Sequence, residues 1–141
     1  MIKIKTISVM VIILLALFLT GCVKKSVENH PPEILSSYPE DNSCIGDSEV
    51  TLYALIEDPD GDKMDIRMFW RYQDILSDTP WIEVLNTKGY SGSYISKPLD
   101  LSGNYYPITY NLDWRLTIFD GVNVIDEIYS FKSVIFPTRT P

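Results

Sequence analysis

The strongest constraint in this chain is a period of two. Tyr110, Leu112, Trp114, Leu116 and Ile118 alternate with Asn111, Asp113, Arg115 and Thr117. An extended backbone therefore puts heavy apolar side chains on one face and polar ones on the other, whereas a helix would scatter them around its circumference. The pattern recurs. Val50, Leu52, Ala54 and Ile56 follow it, and so do Met64, Ile66, Met68, Trp70 and Tyr72 against Asp65, Arg67 and Arg71. Further strands are expected from Trp81 to Leu85, more weakly from Ser93 to Leu99, and finally from Val124 to Ile135. Between them stand turn signals: Asp58-Pro59-Asp60-Gly61-Asp62, where Pro59 presets a turn, Gly61 admits positive φ and the carboxylates can cap local amides, and later Asp120-Gly121. Pro59, Pro80, Pro98 and Pro107 mark breaks. No amphipathic helical stretch follows Cys22, and nine tyrosines and three tryptophans fit strands. Six or seven short strands without helices predict an all-β chain folded as a single antiparallel sandwich.

The N-terminus reads differently. Lys3 and Lys5 precede an apolar run from Ile7 to Leu19, and Leu19-Thr20-Gly21-Cys22 closes it. That ending resembles a prokaryotic lipobox. The resemblance implies that residues 1–21 are a cleaved lipoprotein signal peptide and that the Cys22 thiol carries a covalent lipid. The partner so implied is a membrane, held through acyl chains on the extracytoplasmic or cell-surface side, and two or three chains hold stably where one holds marginally. The alternative is an uncleaved membrane helix. It fits poorly, because Ile7 to Leu19 is shorter than the ~20 residues that span a bilayer. Lys24 and Lys25 would also sit at its outer edge, against the positive-inside bias. Residues 22–30 then form a short lipidated tether, Pro31-Pro32 opens a domain at 31–136, and 137–141 is a tail.

Charge narrows the partners. The formal net charge is −7, and loss of residues 1–21, which hold two lysines and no acid, makes it −9. Nucleic acid and anionic lipid head groups should be repelled, and no basic patch interleaved with aromatics occurs. With Cys22 lipidated, Cys44 has no second cysteine to pair with, and a small semi-buried thiol in a loop or at a strand edge is expected there. Catalysis finds little support. His30 is the only histidine and stands in the tether, and a sandwich of this size leaves little room for a substrate cleft. The chain is expected not to be an enzyme.

Taken in order, Pro31-Pro32, Tyr38-Pro39, Leu55 through Asp62, Tyr110 through Trp114-Arg115-Leu116 to Asp120-Gly121, and Tyr129-Ser130-Phe131-Lys132 resemble the immunoglobulin-like modules of prokaryotic surface proteins, variously fibronectin type III-like, cadherin-like or PKD-like. The resemblance covers about residues 31–135 and implies an immunoglobulin-like sandwich of about seven strands. It departs from antibody domains in lacking the inter-sheet disulfide. By the same resemblance Asp58, Asp60 and Asp62 could hold calcium, the one cofactor suggested besides the lipid; read as an EF-hand loop, however, the segment has Lys63 and Phe69 where a glycine and a bidentate glutamate belong. The competing reading is a solvated turn whose acids cap amides.

Aromatics outside the alternating faces are the candidate working surface. These are Trp81, Tyr90, Tyr94, Tyr105 and Tyr106, of which Trp81, Tyr105 and Tyr106 are the expected partner-binding residues, against a reading of ordinary edge packing. Sandwich topology further predicts that the tether shares its end with Asp58, Asp60, Asp62 and Asp120. Tyr105, Tyr106 and Cys44 would then lie at the far end, open to an envelope protein or polysaccharide. The expected function is a non-catalytic binding, adhesion or envelope-scaffold module. A carbohydrate-binding module, which needs a row of exposed aromatics on one face, and a calcium-dependent spacer are the alternatives.

Overall fold

The computed structural model describes residues 28–47, 49–73, 79–101 and 108–135. Within them the chain forms strands and no helix: β1 (Glu33–Tyr38), β2 (Ser43–Ile45), β3 (Glu49–Val50), β4 (Tyr53–Glu57), β5 (Met64–Tyr72), β6 (Ile82–Gly89), β7 (Gly92–Ile95), β8 (Leu99–Asp100), β9 (Ile108–Phe119) and β10 (Val124–Ile135). One sheet has the order β1-β4-β7, the other β2-β10-β9-β5-β6, and β3 pairs with β8 at one margin. This is an immunoglobulin-like β-sandwich. The strands number ten rather than six or seven because the segment before Val50 supplies a strand to each sheet, β1 and β2, and because β3 and β8 are separate short segments.

One seam in this antiparallel sandwich is parallel. β2 runs parallel to β10, with Ser43 opposite Phe131 and Ile45 opposite Ser133. The cause is local. β1 runs along β4 to Tyr38, Pro39 ends it, and the turn at Glu40–Asn42 moves the chain to the other sheet without reversing its direction. Asn42 takes φ 60°, which an asparagine tolerates, and its N–H donates to the Ser130 carbonyl. The Ser130 N–H in turn donates to Asp41 Oδ1 at 2.9 Å.

The alternating faces fall as the sequence predicts. Val50, Leu52, Ala54 and Ile56 are buried, as are Met64, Ile66, Met68 and Trp70, and Tyr72 packs half-buried against them. From β9, Leu112, Trp114, Leu116 and Ile118 are fully enclosed. Trp114 stacks on Tyr129 with centroids 4.4 Å apart, and its indole N–H donates to the Pro39 carbonyl at 2.9 Å. Its one polar atom is therefore satisfied in the core. β6 runs on to Gly89 rather than stopping at Leu85. As an edge strand it is only partly covered, so its sequence alternates weakly.

Candidate functional site

Register places four segments at one end of the sandwich. Glu33 lies opposite Glu57, Met64 opposite Gly89, Ile56 opposite Gly92 and Asp65 opposite Phe119. The β4–β5, β6–β7 and β9–β10 turns therefore gather where the tether enters. Two of these turns are built the same way. Asp58 Oδ1 accepts the N–H groups of Asp60 and Asp62, both at 3.0 Å, and Gly61 closes the turn at φ 72°. Asp120 Oδ1 accepts those of Val122 at 2.7 Å and Asn123 at 2.6 Å, with Gly121 at φ 101°. The acids cap amides, one of the two readings the sequence offered.

The tether closes onto these turns. Asn29 Nδ2 donates to Asp120 Oδ2 at 2.9 Å, and the His30 N–H donates to Asp60 Oδ2 at 2.5 Å, with the His30 ring nitrogen Nδ1 3.2 Å from Asp60 Oδ1. Asn29 and His30, at the end of the 22–30 segment, thus lie beside the acidic turns, where sandwich topology predicts the chain to enter. The His30 contacts, the backbone N–H first, hold the Asp60 carboxyl below its ordinary range. At Asp120 burial pushes upward, but the donors from Asn123, Val122 and Asn29 outweigh it and the net shift is downward.

The calcium reading meets the chemistry of these donors. Asp58 Oδ1 is committed to two amides and both Asp60 oxygens face His30, which leaves Asp58 Oδ2, buried and without a hydrogen-bond partner, as the oxygen still free in that pair. Among the described residues no three acid, histidine or cysteine side chains are placed to share a metal ion. As arranged here, Asp58, Asp60 and Asp62 make a turn closed by backbone amides and by His30.

A second polar cluster escapes the sequence reading. On the outer face of the large sheet, Asp113 is buried beneath donors: Arg71 Nε at 3.1 Å, Gln73 Nε2 at 2.5 Å and Ser130 Oγ at 2.7 Å. Arg71 also lies 4.4 Å from the Trp81 ring centroid. Trp81 is half-buried and engaged with that guanidinium, so much of its surface is already covered within the chain. A sequence offers no direct signal for this, because Asp113 occupies an outward position where an aspartate ordinarily meets water.

The remaining candidates divide. Tyr90 stands exposed at the tethered end, and Tyr94 is half-buried with its hydroxyl donating to the Tyr90 carbonyl. Trp81 and Tyr90 flank opposite ends of β6 and Tyr94 belongs to the other sheet, so these described aromatics form no row of the kind a sugar-binding face needs. Cys22, Tyr105 and Tyr106 lie outside the described residues. Cys44 stands at a strand edge, one of the two places expected for it, because the parallel seam with β10 draws Ser43–Ile45 into the sheet, but its thiol is exposed rather than semi-buried. Beside it is a shallow depression of about 340 Å³ lined by Tyr38, Glu40, Ser43 and Asp47. His30 and Cys44 are held apart, one at the tethered turns and the other opposite Lys132, well along β10.

In comparison with known proteins, the chain matches no protein-family model and no curated protein sequence.

Proposed function

We propose that this chain is a membrane-anchored surface lipoprotein whose immunoglobulin-like sandwich serves as a non-catalytic binding, adhesion or envelope-scaffold module. The observation that carries this reading is the lipobox-like Leu19-Thr20-Gly21-Cys22 a few residues before a folded domain whose entry is pinned by Asn29 and His30. An anchor so close to a docked entry holds one end of the sandwich near the bilayer and presents the other end outward. The separation of His30 from Cys44 supports a role without nucleophilic catalysis, since that chemistry needs the two groups within hydrogen-bond reach.

The test is lipid attachment and its consequence. Mass spectrometry of the membrane fraction should find a diacylglyceryl-modified N-terminal Cys22, and Cys22→Ser should release the domain from membranes without changing its fold. An unmodified Cys22 on a chain still starting at Met1 overturns the anchor. Contacts with envelope proteins or polysaccharide, mapped by cross-linking on intact cells, should concentrate around Tyr105 and Tyr106 and fall in Tyr105→Ala/Tyr106→Ala. Contacts confined to the acidic turns would reverse that assignment.

A further inference from the structure

The tethered end carries more than carboxylates. Among the described residues the three most exposed large apolar side chains are Val122 at 71%, Val124 at 62% and Tyr90 at 61%. All three stand at this end. Val124 is the cross-strand neighbour of Phe119, itself 41% exposed, and Val122 occupies the turn that joins them. Tyr90 occupies the β6–β7 turn, which register brings to the same end. The β9–β10 hairpin thus ends in an apolar tip with a tyrosine at the same level, and tyrosine is a residue that favours membrane–water interfaces.

We propose that this tip rests in the surface of the bilayer that holds the Cys22 lipid, giving the domain a second, non-covalent membrane contact. The inference rests on the anchored reading above. From Cys22 to Asn29 the chain can stretch at most about 25 Å, and Asn29 is bonded to Asp120 in the very turn that presents Val122. The lipid and the tip therefore lie within one tether length of each other, so the second contact forms at high effective concentration. The opposite end is too far to compete, since β9 alone extends ~40 Å at the rise of a strand.

Charge decides the kind of surface. Four acids at this end are turned onto internal donors: Asp58 onto amides, Asp60 onto His30, Asp120 onto Asn29 and Asn123, and along the same hairpin Asp126 onto Arg115 at 2.6 and 2.5 Å, while Glu33 and Glu57, neighbours across β1 and β4, are exposed. They remain negative, so a zwitterionic surface suits the tip and an anionic one opposes it.

The experiment uses the full chain, exported and lipidated, in a Cys44→Ser background and reconstituted in phosphatidylcholine vesicles. A nitroxide is placed at Val122→Cys, with Val124→Cys as a second tip position and Lys132→Cys as the distant control. The expected result is an oxygen-to-nickel-chelate accessibility ratio severalfold higher at both tip positions than at Lys132, falling when phosphatidylglycerol replaces half the phosphatidylcholine. Protein that floats with the vesicles but shows water-like ratios at the tip overturns the insertion and leaves the anchor standing. Failure to float, with no lipid on Cys22, overturns both. Dipolar broadening between tip labels that vanishes on dilution with unlabelled chain makes a second copy the occupant and overturns the bilayer contact.

Discussion

The two ends of the sandwich are closed by different physics. At the tethered end, single aspartates organise the turns: Asp58 and Asp120 each collect two backbone amides, and Asp60 and Asp120 also receive the tether. Toward the other end the closure inside the sandwich is apolar, with the carboxylates of Asp41 and Asp113 outside it. Trp114 reaches the Pro39 carbonyl, Val50 and Leu99 pair across β3 and β8, and Leu52 exchanges hydrogen bonds with Ser96 among buried neighbours. Packing keeps its geometry whatever the proton concentration. Carboxylate closure does not, so the end nearest the proposed membrane is the adjustable one.

The largest effect should come from the apolar closure. Trp114→Ala removes a fully buried indole and leaves the Pro39 carbonyl without its donor, and is expected to cost about 3–5 kcal/mol in denaturant unfolding. Asp58→Ala and Asp120→Ala should each cost about 1–3 kcal/mol, because two amides lose a charged acceptor in a buried turn. If either aspartate matched Trp114, the contrast between the ends would collapse.

Acid separates the ends more finely. Asp60 and Asp120 have folded-state pKa values below the ordinary ~3.9 of an unfolded aspartate. Their contribution is therefore complete above that value and is lost as pH falls from about 4 through the lower, folded values. Amide protection at Val122 and Asn123 should drop first in this range, with the Trp114 indole proton still protected. Simultaneous loss at both places would mean one cooperative unit. The smallest effect concerns calcium. Replacing chelator with millimolar calcium should leave the midpoint of thermal unfolding unchanged, although a ligand at 100 times its Kd would add about 2.7 kcal/mol. A clear rise would show Asp60 leaving His30 to join Asp58 around an ion.

What could be read in the sequence was what depends on neighbours one or two residues apart. Tyr110 to Ile118 and Met64 to Tyr72 announce their inward faces by alternation alone, and Asp58 with Gly61 announces a turn. The parallel seam of β2 could not be read, because three residues with one buried side chain carry no usable period and the choice of partner is made by Asp41, Asn42 and Ser130 across the fold. Asp113 is a similar case. Its burial depends on Arg71 and Gln73, forty residues away or more in the chain. At the candidate site, topology correctly brought the tether to the acidic turns, while the exposed Val122 and Val124 drew no notice because each is ordinary in a hairpin and only their shared position beside Asn29 gives them meaning.

The parallel seam also has a mechanical consequence. The tether leaves the sandwich at one end, and β10 runs from that end to finish at Ile135 on the other. Tension between the two pulls along the strands, so the rungs joining β2 to β10 are sheared together rather than peeled apart one after another. In the anchored orientation proposed above, a pull on the opposite end would be borne at that seam.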